Sequence, residues 1–203
     1  MTKPTLKSVS KPRAAVLTAA FLASLVPASI AFTQARPNPA ALIAAQQTAM
    51  QPLAFMDGVW RGQASTTLPD GSTHKVTQTE RIGPLLDGSI KVIEGRGYNA
   101  DGSTGFNAFA VLSYDPGAKA YHFQSWAMGQ AGDFKFTPQD HGYVWEIPAG
   151  PMTIRYTATV KDGAWHEVGD RIVADKPPVR FFEMTLRRVS DSDWPAAGAI
   201  PAK

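Results

Sequence analysis

From Asp57 onward apolar and polar residues alternate with a period of two, the spacing of a strand that buries one face. Turn signals interrupt the alternation in series: Pro69-Asp70-Gly71, Asp87-Gly88, Asp101-Gly102, Asp115-Pro116-Gly117, Gly129 to Gly132, Asp140-His141-Gly142, Pro148 to Pro151, Asp162-Gly163 and Pro177-Pro178. These nine breaks divide Asp57 to Ser190 into ten segments, each rich in Val, Ile, Thr, Tyr, Phe or Trp. The short connectors make successive strands antiparallel neighbours. Strong twist curls a sheet of that width, and closure removes its edges. The pattern therefore predicts an all-β fold, a single up-and-down antiparallel barrel over 57–190. A sandwich would need longer Greek-key connections.

The pattern before Asp57 is helical instead. Leu42, Ala45, Ala49 and Leu53 fall on one face, Asn38 stands at the N-cap position, Pro39 opens the first turn and Pro52 ends or kinks the helix. Linker and helix together take 36–56. Residues 1–35 read as a signal peptide. Lys3, Lys7, Lys11 and Arg13 are basic, Ala14 to Val26 is apolar, and Ala28-Ser29-Ile30-Ala31 or Thr33-Gln34-Ala35 offers small residues for cleavage. The apolar run, about 13 residues, is short of the roughly 20 that span a bilayer. The expectation is a periplasmic or secreted protein with no membrane span after cleavage. The stretch 191–203, rich in Pro and Ala, reads as a disordered tail.

Removing the leader changes the charge. Four of the 20 bases lie there, which leaves 16 against 17 acids in a chain whose formal net charge is otherwise +3. No clustered basic excess remains for nucleic acid. The absence of Cys excludes disulfides, thiolate metal sites, a Cys nucleophile and a lipid-bearing cysteine.

Alternation also assigns faces. Phe182, Met184, Leu186 and Arg188 share one side; so do Ile154, Tyr156, Ala158 and Val160, then Tyr143, Trp145 and Ile147, then Phe134 and Phe136. These sets are expected inside. Val76, Gln78, Glu80 and Ile82 form another set, as do Ile90, Val92, Glu94 and Arg96. Turned inward, Glu80, Glu94 and Arg96 would pair across one hairpin and give the interior a polar end. The alternative is a solvated rim or reversed parity. His122 lies on a strand with Gln124 and Trp126 and lines the interior or faces out. The candidate ligand-binding set is Gln78, Glu80, Glu94, Arg96, His122, Trp126, Trp145, Tyr156 and Met184.

The segment Gly58-Val59-Trp60-Arg61-Gly62, with Arg188 on the last strand, resembles the lipocalin and fatty-acid-binding-protein superfamily, the calycins. That resemblance implies that Gly58, Trp60 and Arg188 close one end of the barrel, Arg188 packing over the indole; Arg187 replaces it if the parity is reversed. Gly58 to Gly62, Tyr114-Asp115 and Trp126 are more narrowly similar to bacterial lipocalin-like barrels, a family that implies a fold and no chemistry. The haem-binding nitrobindins share Gly-x-Trp-x-Gly-x-Gly, where this chain has Ala64 in place of the last Gly; by that resemblance His166 would be the axial ligand.

No His-Glu-x-x-His, Gly-x-Ser-x-Gly, P-loop or dinucleotide fingerprint occurs, and His74, His122, His141 and His166 have no metal-ligand spacing. No cofactor, metal or catalytic residue is assigned. The expectation is a protein that holds a small, largely apolar ligand with a polar end. Two alternatives stand: a haem barrel using His166, and an interior isomerase or cyclase using Glu80 or Glu94 as base.

Overall fold

The structure is a computed structural model and describes residues 38–201. The proposed leader and the chain's last two residues lie outside the described residues. Asn38 caps the first helix, its side chain accepting from Ala40 N at 3.0 Å, with Pro39 in the first turn. The helix, α1, runs Pro39–Met50 and tightens into a 3-10 turn over Gln51–Met56, where Pro52 stands. Ten strands follow: β1 (Gly58–Thr67), β2 (Thr73–Leu85), β3 (Ile90–Tyr98), β4 (Thr104–Asp115), β5 (Ala120–Ala127), β6 (Gln130–Gln139), β7 (Gly142–Ala149), β8 (Met152–Lys161), β9 (Ala164–Val173) and β10 (Val179–Ser190).

Each strand pairs antiparallel with the next, and β10 returns to β1, closing the barrel. The seam matches Gly62 with Leu186 and Ala64 with Met184. Gly62 is required at this seam, because a Cβ there would stand 2.0 Å from the Thr185 carbonyl oxygen. The strands fall where the turn signals divide the sequence. At Gly71 and Gly163 the turns take φ values of 84° and 68°, a region closed to most side chains.

The barrel has a plugged end and a mouth. At the plugged end Met50, Leu53 and Met56 seat against Trp60, Ile82, Leu112, Trp165 and Leu186, all buried. Burying a side chain of this size contributes roughly 1.5–3 kcal/mol. Polar ties hold the plug: Tyr121 Oη donates to Ala49 O at 2.7 Å, Trp60 Nε1 donates to Met56 O at 2.9 Å, and Lys91, itself buried, pairs with Asp57 at 2.5 Å. Among the described residues no helix is long and apolar enough to cross a membrane.

The segment beyond β10, read from sequence as a disordered tail, instead packs outside β2 as far as it is described. The Arg81 guanidinium lies 4.5 Å from the Trp194 ring centroid, and Trp194 O occupies the space a Cβ on Gly83 would need. Val92, paired with Gly83, is consequently buried although it points outward.

Candidate functional site

The register gives the direction of every side chain on the barrel. Trp60, Glu80 and Gly95 stand opposite one another on β1, β2 and β3, so Gln78, Glu80 and Ile82 face inward with Ile93, Gly95 and Gly97. Glu94 and Arg96 therefore face outward, which corrects the expected polar hairpin. Glu94 accepts from Arg81 and Arg96 on the outer surface, both at 2.6 Å. The misleading signal was aliphatic: Val92 is buried, but under the C-terminal segment and not in the lumen. On the inner face of β3, Gly95 makes room for Glu80, whose Oε1 would lie 2.8 Å from a Cβ there.

On β5, Tyr121 and Phe123 face inward, and His122 and Trp126 face outward, a second correction to the candidate set. His122 Nδ1 contacts Asp133 Oδ2 at 2.9 Å on the outer surface. Trp126 packs against Phe109, ring centroids 6.2 Å apart, and together they line an outer groove of about 370 Å³ at the mouth with Met128. His166 also points outward, between the inward Trp165 and Glu167; it is half exposed, with Nε2 3.2 Å from Glu183 Oε1. That position removes it as an axial ligand for any group in the lumen. Among the described residues no group of three His, Cys, Asp or Glu could hold a metal ion.

Gln78, Glu80, Trp145, Tyr156 and Met184 all face inward. Trp145 and Tyr156 stack with centroids 4.3 Å apart and planes 8° from parallel. Phe123 stands 5.0 Å from Trp145, and Phe182 5.6 Å from Tyr156, both edge-inclined. These four rings face inward in the mouth half yet stay only half-buried, so water reaches an aromatic wall inside the barrel. A bulge between Arg180 and Phe182 brings Phe181 to the same wall, with the Arg171 guanidinium 4.4 Å from its centroid.

Beneath the rings lie two buried carboxylates. Glu80 accepts from Gln78 Nε2 at 2.7 Å, and Glu167 accepts from Tyr143 Oη. Burial pushes Glu80 up to about 8; the Gln78 hydrogen bond opposes the rise and the charge of Glu167 adds to it. Burial raises Glu167 as well, against the hydrogen bond from Tyr143 and the nearby Trp145 and Trp165 indoles. Tyr156 is pushed up to about 12, again mainly by burial. Trp165 Nε1 lies near Glu167 but is left without a hydrogen bond of ordinary geometry.

Sequence reasoning missed Glu167, Tyr143 and Trp165 as one polar group. The signal was present: with Trp165 inward, alternation carries Glu167 inward and His166 out. At the plugged end Arg188 stands 5.9 Å from the Trp60 centroid and donates to Asp57 O at 2.7 Å. Gly58 leaves room for it, since a Cβ there would lie 2.9 Å from Arg188 Nε.

Fold and site together define a closed ten-stranded antiparallel barrel with an aromatic cluster inside, an arrangement compatible with ligand binding. Among solved structures it is similar to that of Rv2717c from M. tuberculosis, with a TM-score of 0.53 at 10% identity, over 72% of this chain and 99% of that one. At that identity the likeness concerns the fold alone. No protein-family model matches the chain, and no curated protein matches it.

Proposed function

We propose that this is an exported binding protein that holds a small, largely apolar molecule in the mouth half of its lumen, polar end downward. One observation carries the reading: Phe123, Trp145, Tyr156 and Phe182 face into the barrel and remain partly open to water. Apolar walls with a few convergent polar groups are the usual make-up of a ligand pocket. Gln78, Glu80 and Glu167 supply the polar groups, and Met184, paired with Glu167, lies between the two zones.

Native mass spectrometry of protein purified from its natural source is expected to reveal a bound organic molecule of defined mass. Trp145→Ala should weaken uptake of an apolar fluorophore roughly tenfold or more, as loss of a buried aromatic anchor does. A protein that carries only its polypeptide mass and takes up no such fluorophore would end the reading. The export half is tested separately: N-terminal sequencing of the mature protein should begin after Ala31 or Ala35.

A second reading, acid–base chemistry in the lumen, is favoured by Glu80 alone, which is buried with a pKa near neutrality. It requires a turnover that Glu80→Gln abolishes while the far-UV spectrum stays unchanged. Glu94, on the outer surface, has no part in it.

A further inference from the structure

Among the described residues the two carboxyls inside the lumen have no cationic partner. Glu80 on β2 and Glu167 on β9 face inward, and the groups that hydrogen-bond to them, Gln78 and Tyr143, are neutral. The inward-facing cations are committed elsewhere. Lys91 on β3 is paired with Asp57 below, Arg188 on β10 is paired with Asp191, and Arg171 on β9 lies over Phe181 at the mouth. The remaining inward titratable groups are Tyr114, Tyr121 and Tyr156, with His74 exposed at the rim.

A second observation points the same way. Trp165 is 3% exposed and its Nε1–H, beside Glu167, lacks an acceptor. Both neighbours of Glu167, the Tyr143 hydroxyl and the Trp165 indole, are neutral, so the carboxyl has no cation beside it among the described residues. The polar lining therefore lacks a charged partner of its own. An added positive charge supplies one, and the Trp145 and Tyr156 faces also favour a cation near them.

We propose that the ligand carries a protonated amine and enters amine-first, its N–H groups bonded to Glu80 and Glu167 and its carbon body against Trp145 and Tyr156. This rests on the binding reading given above and narrows it to one chemical class. Below about pH 8 binding is coupled to proton release, because the Glu80 carboxyl gives up its proton as the ammonium arrives. Affinity rises with pH through the range where Glu80 ionises, about 8, and falls again once the amine itself deprotonates, at about 10 for a simple alkylamine.

The test uses dansyl-labelled alkyl chains, identical except for an amine, a hydroxyl or a carboxylate at the far end, titrated into the whole protein at about pH 9. The amine probe is expected to bind roughly tenfold or more tighter than the hydroxyl probe, with the carboxylate weakest. That difference should collapse in the Glu80→Gln/Glu167→Gln double variant. Calorimetry of the wild type at about pH 7, below the value at which Glu80 ionises, in buffers of different ionisation heat should detect proton release with the amine probe, an independent readout should the double variant not fold. Equal binding of all three ends, a preference for the carboxylate, or no proton release would overturn the amine proposal and leave the binding reading standing. If none of the probes binds, both fall.

Discussion

Glu80 is held where water cannot solvate its charge, and this has a consequence for stability. Its carboxyl titrates at about 8 in the fold against an ordinary value of 4.5. Between those values the native protein holds a proton that the unfolded chain has released. The stabilisation is therefore complete below about 4.5 and disappears as the pH rises through about 8. Glu80→Gln should flatten this slope, and at about pH 9 its urea midpoint should exceed the wild type's by an amount corresponding to about 3–5 kcal/mol. Exposed Asp70, Asp101 and Asp115, lowered by hydrogen bonds within their turns, act in the opposite sense at acid pH and are unaffected by the substitution. Arg188 makes a different contribution, through the Trp60 face and the Asp57 carbonyl. Arg188→Ala should cost about 1–2 kcal/mol in denaturant unfolding, with little dependence on pH. Gln78 and Glu80 were candidates for the interior beside Ile82, but alternation left the parity of their strand open, and the pairing with β1 supplies it. Glu94 and Arg96 were misread because Val92 is buried from the outside, by a segment whose sequence of Pro and Ala carries no strand or helix signal.

Among the elements, the plug was the easiest to read. Asn38-Pro39 announces its start and Pro52 its change of pitch, and the 3-10 turn then places Leu53 and Met56 at the barrel end. Leu53 is fully buried, and Leu53→Ala should destabilise by about 3 kcal/mol through lost contact and the cavity left behind. Tyr121→Phe removes the hydrogen bond to Ala49 O that ties helix to strand, and should cost about 1 kcal/mol. Both are read from denaturant midpoints. The strands divide into two kinds. β7, β8 and β10 alternate cleanly, and their inward sets were read directly from the sequence. β5 does not, because Tyr121 and Phe123 face in while Trp126 faces out against Phe109, so apolar mass alone gives no parity. β3 has glycine where its inner face should declare itself, and only the register supplies the missing information.

At the scale of the whole molecule, closure joins the first strand to the last. The helix and the end of β10 both lie at the plugged end, so a long flexible linker can join residue 201 to residue 38 and the chain be opened at the mouth turn Met128-Gly129. This permutant should keep the native far-UV spectrum and cooperative unfolding. A permutant that stays unfolded without denaturant would contradict the closed pairing order. Closure also governs when the protein can fold. The Asp57 carbonyl and the Arg188 guanidinium that bonds it are 131 positions apart. Contacts of such separation make folding slow. A nascent chain stopped anywhere before β10 leaves the ribosome with two unpaired sheet edges and Trp60 uncovered by Arg188 and Leu186. The fold is thus settled by its last-made strand, and synthesis must pass β10 before any of the barrel is safe from pairing with a neighbour.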